Sequence, residues 1–160
     1  MKVCDCVIKF LEDKGVKDIF LLTGGGAMYL NDALTNTKMN VICMQHETTM
    51  AMAVKAYAMA CGFGVGIFTS GPGSTNAITG VVEAWLDSVP CMFISGQAND
   101  WKTNSRQTGV QAIKIRDLVF DITKWSWVMR PTDDIQKELE TLFYMMNLGR
   151  PGPIWLDIPL

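Results

Sequence analysis

Short apolar segments alternate with helical patterns along all 160 residues, and this alternation limits the folds that the chain can adopt. Strands are predicted over residues 18–22, 40–44, 66–69, 90–95, 124–129 and 154–157, and helices over 3–14, 28–34, 47–61, 74–87, 113–120 and 132–148. The strands are apolar almost throughout, which is typical of a parallel sheet covered on both faces. The sequence therefore predicts a single α/β domain over residues 1–160, a three-layer sandwich whose mostly parallel six-stranded sheet has helices on both faces.

Polar or glycine-rich segments follow four of these strands, namely Thr23–Gly26, Gln45–Glu47, Ser70–Gly73 and Gly96–Gln97. The last of them begins a predicted long surface loop over residues 96–108. In open α/β sheets, ligands bind beyond the carboxyl ends of the strands. We therefore expect a binding site where these segments meet, at the end of the sheet that we call the carboxyl rim.

Charge and composition narrow the functions that the chain can have. A net charge of −2 and a pI near 5.3 give no electrostatic basis for binding nucleic acid or an anionic membrane. No apolar segment is long enough to span a bilayer. The five cysteines lack a zinc-binding spacing and are interpreted mainly as small core residues, as is the single histidine, His46. The sequence thus predicts a soluble protein of a reducing compartment, taken to be the cytoplasm.

The segment "DIFLLTGGGAMY" has the strand–glycine–helix order of a dinucleotide-binding fold, and Glu47 ends the next strand where such folds place a ribose-binding acid. The dinucleotide pattern, however, requires a third glycine where Tyr29 stands. The phosphate-loop pattern is also missing, because no Gly-Lys-Ser or Gly-Lys-Thr occurs. A dinucleotide-binding oxidoreductase domain remains the weaker alternative.

The segment "TSGPGSTNAITG" (residues 69–80) is more specific. Gly71 and Gly73 let another group approach the backbone, and Pro72 stiffens the turn between them. Ser74 or Thr75 is expected to cap the following helix. Such a cap accounts for a well-made turn, but not for the Gly-Pro-Gly sequence. Glu47 likewise has a structural interpretation, since a carboxylate at a helix N-terminus is stabilised by the helix dipole.

Taken together, the motifs resemble the N-terminal, pyrimidine-binding domain of thiamine-diphosphate enzymes of the acetolactate synthase and pyruvate decarboxylase type. The resemblance is carried by "LTGGGAMYLNDAL", "QHETTMAMAVKAYA", "TSGPGSTNAITGVVEAWLDSVPCMFISGQ", "RQTGVQAIKIRDLVFDITKW" and "GRPGPIWLDIP". It extends over nearly the whole chain and implies the thiamine-diphosphate-binding fold. It also implies that Glu47 is catalytic, because in that family a glutamate hydrogen-bonds to the aminopyrimidine ring of the cofactor and so promotes its activation.

The resemblance assigns further residues by their position in the motifs. Those implied to bind the cofactor, besides Glu47, are Thr23, Gly24, Gly25, Gly71, Pro72, Gly73 and Asn76. Gln107 matches a glutamine of the substrate-side loop and is implied to be catalytic, with Gln111 the weaker candidate. Two departures from the family pattern are Thr23, where many relatives carry proline, and Ala112–Lys114, where many carry acidic residues.

The resemblance also implies partners. The family binds the diphosphate through Mg²⁺ on a separate domain marked by Gly-Asp-Gly, which these 160 residues lack, as they lack the central domain. The chain is expected to need a diphosphate-binding domain from the same or another subunit, to form homo-oligomers, and to be inactive alone. The complete enzyme would decarboxylate and ligate a 2-oxo acid such as pyruvate. A non-catalytic regulatory or assembly module on the same fold is the alternative.

Overall fold

The computed structural model describes residues 2–98 and 109–159. Its strands are β1 (Asp18–Leu21), β2 (Asn40–Cys43), β3 (Gly64–Phe68), β4 (Cys91–Gln97), β5 (Trp125–Val128) and β6 (Ile154–Pro159). Its α-helices are α1 (Val3–Asp13), α2 (Met28–Ala33), α3 (Glu47–Cys61), α4 (Pro72–Asn76), α5 (Ile78–Leu86), α6 (Ile115–Leu118) and α7 (Ile135–Asn147). Short 3₁₀ turns occupy Gly25–Ala27, Leu34–Asn36 and Phe120–Ile122.

The six strands form one sheet in the order β2-β1-β3-β4-β6-β5, and every neighbouring pair is parallel. The strands β3 and β4 are buried along their whole length, whereas β2 is an exposed edge strand. The predicted α/β sandwich is confirmed, and its sheet is wholly parallel. The strand order reverses direction between β1 and β3, which is the topological switch point where ligands bind in open α/β sheets.

Helices cover both faces of the sheet with two separate cores. One core joins α1, α2 and α7 to the sheet, and the other joins α3, α5 and α6 to the opposite face. Helix α5 approaches α3 at backbone distance, because a Cβ atom on Gly80 would lie 2.5 Å from the Cβ atom of Ala51. The orientation of α3 is therefore fixed by close packing rather than by a loop.

Several predicted boundaries are wrong for physical reasons. The helix predicted from residue 74 begins at Pro72, because proline suits the first helical position and Gly71 precedes it with a φ of +63°. The helix predicted from residue 132 begins at Ile135, where the Asp134 side chain accepts hydrogen bonds from two backbone amides. The loop predicted from residue 96 starts later, because Gly96 and Gln97 still pair with β6.

The cysteines are all free thiols, but only Cys4 and Cys91 are buried, so the core interpretation does not hold for the exposed Cys43 and Cys61. Within the described ranges, no helix has both the length and the apolar character needed to cross a membrane.

A polar cluster interrupts the core between β4 and β6. The carboxylate of Asp157, which is fully buried, accepts hydrogen bonds from Ser95 Oγ at 2.6 Å and Gln97 Nε2 at 2.7 Å. Trp155 Nε1 in turn donates to Ser95 Oγ at 2.8 Å. Burial raises the pKa of Asp157 from 3.8 to about 7, although the two hydrogen bonds act to lower that pKa.

This raised pKa predicts that Asp157 makes stability depend on pH. The unfolded chain loses the Asp157 proton near pH 3.8 and the folded chain keeps it to about pH 7. The contribution to folding is therefore fully present below about pH 4 and lost as the pH rises to about 7. Asp157→Asn removes this titration. The unfolding free energy of the variant relative to wild type should rise across that interval, by at most about 4 kcal/mol at about 1.4 kcal/mol per pKa unit.

Urea denaturation of both proteins across this pH interval measures the effect. A difference between the two unfolding free energies that stays constant with pH would contradict it.

Candidate functional site at the carboxyl rim

The glycine loop after β1 packs directly against the turn after β3. The Gly26 amide donates to Thr69 Oγ1 at 3.1 Å, and a Cβ atom on Gly24 would lie 2.5 Å from the Cβ atom of Thr69. A Cβ atom on Gly26 would lie 2.0 Å from Ser70 Oγ. Gly24 and Gly26 are therefore required by this contact. In contrast, Gly25 is exposed and has no atom within 4 Å of where its Cβ would stand.

Glu47 is the first residue of α3 and is half-buried at the rim. Its Oε2 atom accepts a hydrogen bond from Asn76 Nδ2 at 3.1 Å, and Thr48 Oγ1 donates to the Asn76 carbonyl at 2.7 Å. The structure thus joins two predicted site residues that lie 29 positions apart. Among the described residues, Oε1 of Glu47 has no hydrogen-bond donor and no ion-pair partner, so this oxygen is open to a ligand.

His46 does not lie in the core. It is exposed, and its Nδ1 accepts a hydrogen bond from the Thr48 amide at 3.2 Å as the N-terminal cap of α3. The interpretation of His46 as a core residue is wrong because a side chain just before a helix can satisfy the free backbone amides of the first turn. The cap helps to define where α3 begins, and therefore where Glu47 stands.

The Gly-Pro-Gly turn lies next to Glu47. A Cβ atom on Gly73 would stand 3.4 Å from Glu47 Oε1 and 2.5 Å from Thr69 Cγ2, so this glycine leaves room beside the carboxylate. Pro72 is exposed. The predicted cap at Ser74 or Thr75 is wrong, since the Ser74 hydroxyl donates to the Thr69 carbonyl instead.

The segment Gly109–Lys114 closes the other side of this turn. Gln111 has a φ of +57°, which is unusual for a residue other than glycine. Its carbonyl oxygen and Cβ would lie 2.5 and 2.7 Å from a Cβ atom on Gly71. The exposed Gln111 therefore stands at the rim beside the proline turn, whereas Gln107 lies outside the described residues.

The described residues among those predicted fall into three groups. Glu47 accepts a hydrogen bond from Asn76 and lies beside Gly73, and Gly24 reaches the same turn through Thr69. Gly71, which lies against Gln111, leads into the exposed Pro72. Thr23 and Gly25 lie exposed at the same rim without a described contact to Glu47.

Sequence reasoning missed Thr69, which lies in the turn after β3 and contacts the glycine loop after β1. The signal for Thr69 was its place between a buried strand and the Gly-Pro-Gly turn.

The rim combines an open carboxylate oxygen, an exposed proline ring and bare glycine backbone. A carboxylate can accept a hydrogen bond, or donate one when it is protonated. An exposed proline ring between two glycines offers a flat apolar contact. This combination suits a planar, nitrogen-containing ring better than a phosphate group.

Comparison with known proteins agrees with this chemistry. Residues 1–118 match the family described as "Thiamine pyrophosphate enzyme, N-terminal TPP binding domain". Acetolactate synthase 1, chloroplastic, of Nicotiana tabacum is 38% identical over 164 residues, which cover 99% of this chain and 24% of the relative. Acetolactate synthase 2, chloroplastic, of Zea mays is 37% identical, with 99% of this chain and 25% of the relative covered. The chain therefore spans about a quarter of the length of these relatives.

The geometry of the proline turn predicts the effect of substituting Gly71. Gly71→Ala forces a left-handed conformation on alanine and brings its Cβ atom against the Gln111 carbonyl. We expect a loss of about 2 kcal/mol or more in unfolding free energy, because the conformational penalty alone is about 1–2 kcal/mol. Chemical denaturation measures it.

Gly25→Ala is the matched control, because Gly25 has open space around it and no left-handed φ. Its unfolding free energy should change by no more than about 1 kcal/mol. Equal losses in the two variants would contradict the described contact between Gly71 and Gln111.

Proposed function

The chain belongs to the thiamine pyrophosphate enzyme family, whose N-terminal TPP binding domain it carries in an acetolactate-synthase-like form, and from this premise we propose how its carboxyl rim works. The rim binds the aminopyrimidine ring of thiamine diphosphate, and Glu47 is its acid–base group. One observation carries the proposal: the Glu47 carboxylate lies beside the Pro72 turn and accepts a hydrogen bond from Asn76 at Oε2, and no described residue donates to its Oε1.

Each of these residues has a separate role in binding the ring. Pro72 offers an apolar surface, and Gly71 and Gly73 keep side chains away from it. Thr23, Gly24 and Gly25 provide backbone in the loop after β1, which packs against this turn. Asn76 orients Glu47 by occupying Oε2, which leaves Oε1 to form the hydrogen bond to a ring nitrogen.

Glu47 holds or releases a proton at Oε1, so the ring nitrogen that it contacts changes its protonation state. General acid–base groups act at hydrogen-bond distance from the atom that they protonate, and an oxygen fixed by a second contact meets this requirement. When bound, thiamine diphosphate supplies the nucleophilic carbon that attacks the carbonyl group of a 2-oxo acid. The substrate side of the site is assigned to Gln107, with Gln111 beside the proline turn as a second candidate.

The activity of the complete protein is proposed from its relatives. Proteins named acetolactate synthase match the chain over nearly its whole length. Decarboxylation of a 2-oxo acid such as pyruvate, followed by transfer of the remaining fragment to an acceptor, is the reaction that this likeness supports. The complete protein would therefore be a transferase whose reaction includes a lyase step.

The site needs a second part. A diphosphate-binding domain with Mg²⁺, from the same or another subunit, would complete it, and two copies of the present domain would meet in a homo-oligomer. The five free thiols suit a reducing compartment, which we take to be the cytoplasm. Fractionation of the source cells tests this location.

Glu47→Gln tests the central assignment. Glutamine can still accept the Asn76 hydrogen bond but cannot transfer a proton. Turnover of the complete enzyme should therefore fall by about a hundredfold to ten-thousandfold, the usual contribution of a general acid–base group. Steady-state kinetics and a thiamine diphosphate titration give turnover and affinity, and the affinity should change far less than the turnover.

Glu138→Gln is the matched control, because Glu138 is also an acid in the first turn of a helix, in α7. It should leave turnover unchanged. Unchanged turnover in Glu47→Gln would instead favour a non-catalytic regulatory or assembly module.

The chain of 160 residues is expected to bind thiamine diphosphate weakly and to have no turnover, because the diphosphate is the more strongly charged end of the cofactor and its proposed site lies elsewhere. Calorimetric titration with thiamine diphosphate and Mg²⁺ measures the affinity, and sedimentation of the same sample reports self-association. Tight binding by a strict monomer would contradict the proposed division between two domains.

A further inference from the structure

The core beneath the carboxyl rim changes from apolar to polar as β4 and β6 approach it. Phe93 pairs with Trp155 in the sheet register and stacks on it with ring centroids 5.7 Å apart. Two residues further along, Ser95 pairs with Asp157 on the same face of the sheet. Gln97 lies two residues beyond Ser95, and its side chain is 3% exposed. A buried polar layer therefore lies directly under the rim.

Stability does not account for this layer. Among the described residues, no lysine or arginine forms an ion pair with Asp157, which is fully buried. A buried carboxyl group without a cation is costly to ionise, and even in its neutral form it must be hydrogen-bonded to offset the loss of its hydration. Apolar residues of similar volume are often as stabilising as buried charged groups, or more so. The position of Asp157 therefore calls for another explanation.

Asp157 holds the amide of Gln97 in one orientation. Gln97 Nε2 donates to Asp157 Oδ2 at 2.7 Å and also to the Ile113 carbonyl at 2.6 Å. Gln97 Oε1 accepts a hydrogen bond from the Ala98 amide at 2.8 Å. Both the nitrogen and the oxygen of the side-chain amide are therefore hydrogen-bonded. One hydrogen bond from the nitrogen connects the sheet to Ile113, which lies outside the sheet.

Ile113 belongs to the segment that borders the proposed cofactor site. Two residues before it, Gln111 adopts its left-handed conformation with its carbonyl against Gly71. Strained conformations of this kind persist only where the surroundings hold them. The hydrogen bond from Gln97 holds the backbone at Ile113, two residues from the strained Gln111. Gln111 in turn lies against Gly71, which directly precedes Pro72.

We propose that Asp157 is a positioning residue that acts through Gln97 to hold the Gly109–Ile113 segment against the proline turn, and so keeps the pyrimidine side of the site in its working geometry. The consequence for the site rests on the proposed function, whereas the mechanical link does not. The link runs from the carboxylate in β6 through the Gln97 amide in β4 to the Ile113 carbonyl.

Gln97→Met in the complete protein tests the link, because methionine keeps the length and burial of the side chain but has no amide. Amide hydrogen exchange should accelerate by about tenfold at Ala112 and Ile115, the factor expected for one lost hydrogen bond. Both amides donate to carbonyls of this segment, those of Gly109 and Ile113. Thiamine diphosphate should bind about tenfold more weakly, with a smaller change in kcat once the cofactor saturates.

Ser95→Ala is the matched control. It removes the other hydrogen bond to Asp157 and lies in the same buried layer, but it leaves the link from Asp157 through Gln97 to Ile113 intact. It should lower thermal stability while leaving exchange at Ala112 and the cofactor affinity unchanged. Should Gln97→Met fail to fold, Asp157→Ala tests the same link by removing the oxygen that holds Gln97.

The outcomes separate this proposal from the proposed function. Equal exchange at Ala112 in Gln97→Met and Ser95→Ala would overturn the link, whatever the protein catalyses. Faster exchange in Gln97→Met with unchanged cofactor affinity would overturn its effect on the site. Unchanged turnover in Glu47→Gln would instead overturn the proposed function and leave the exchange comparison valid.

Discussion

The contact between Thr69 and the two glycine-containing loops determines the geometry of the carboxyl rim. The Thr69 side chain occupies the space that Gly24 and Gly73 leave free, and the Thr69 hydroxyl oxygen accepts a hydrogen bond from the Gly26 amide. Because any side chain at position 24 would overlap Thr69, the loop after β1 can approach the turn after β3 only with glycine there. Gly73 is needed within that turn for the same reason. Glu47 is then placed beside the second loop by α3, whose packing on α5 is equally close. A rim built in this way is fixed by van der Waals contact.

Glu47 combines an ordinary structural role with the chemical role that we propose for it. A carboxylate in the first turn of a helix is favourable in any protein. Here, the neighbouring helix α4 supplies Asn76, which donates to one oxygen, while the other has no donor among the residues that the structure describes. The helix dipole alone would not require that second contact. The arrangement becomes intelligible when the free oxygen serves a ring nitrogen of the family's cofactor.

The alternation of apolar strands and helices was sufficient to predict the fold and the rim at which we propose the site, because both depend on periodicity and on the direction of parallel strands. Predictions of local structure were wrong where that structure depends on a residue far away in the sequence. Gly96 and Gln97 were predicted as loop because a polar residue in a buried strand is unfavourable unless it is satisfied, and its partner, Asp157, lies 60 positions away. Residue roles at the rim came from the resemblance to a family. The motifs alone left a structural interpretation open for Glu47 and indicated only that the Asn76 amide could hydrogen-bond to a ligand.

The strand order has a consequence for how the chain is assembled during synthesis. Among the described strands, β5 pairs only with β6, and β6 lies between β5 and β4, although it follows both of them in the sequence. Until Ile154–Pro159 emerge, β4 has an open edge and β5 has no neighbour to pair with. Nascent chains of this topology therefore expose unpaired strand edges until β6 has been synthesised, and exposed strand edges favour aggregation.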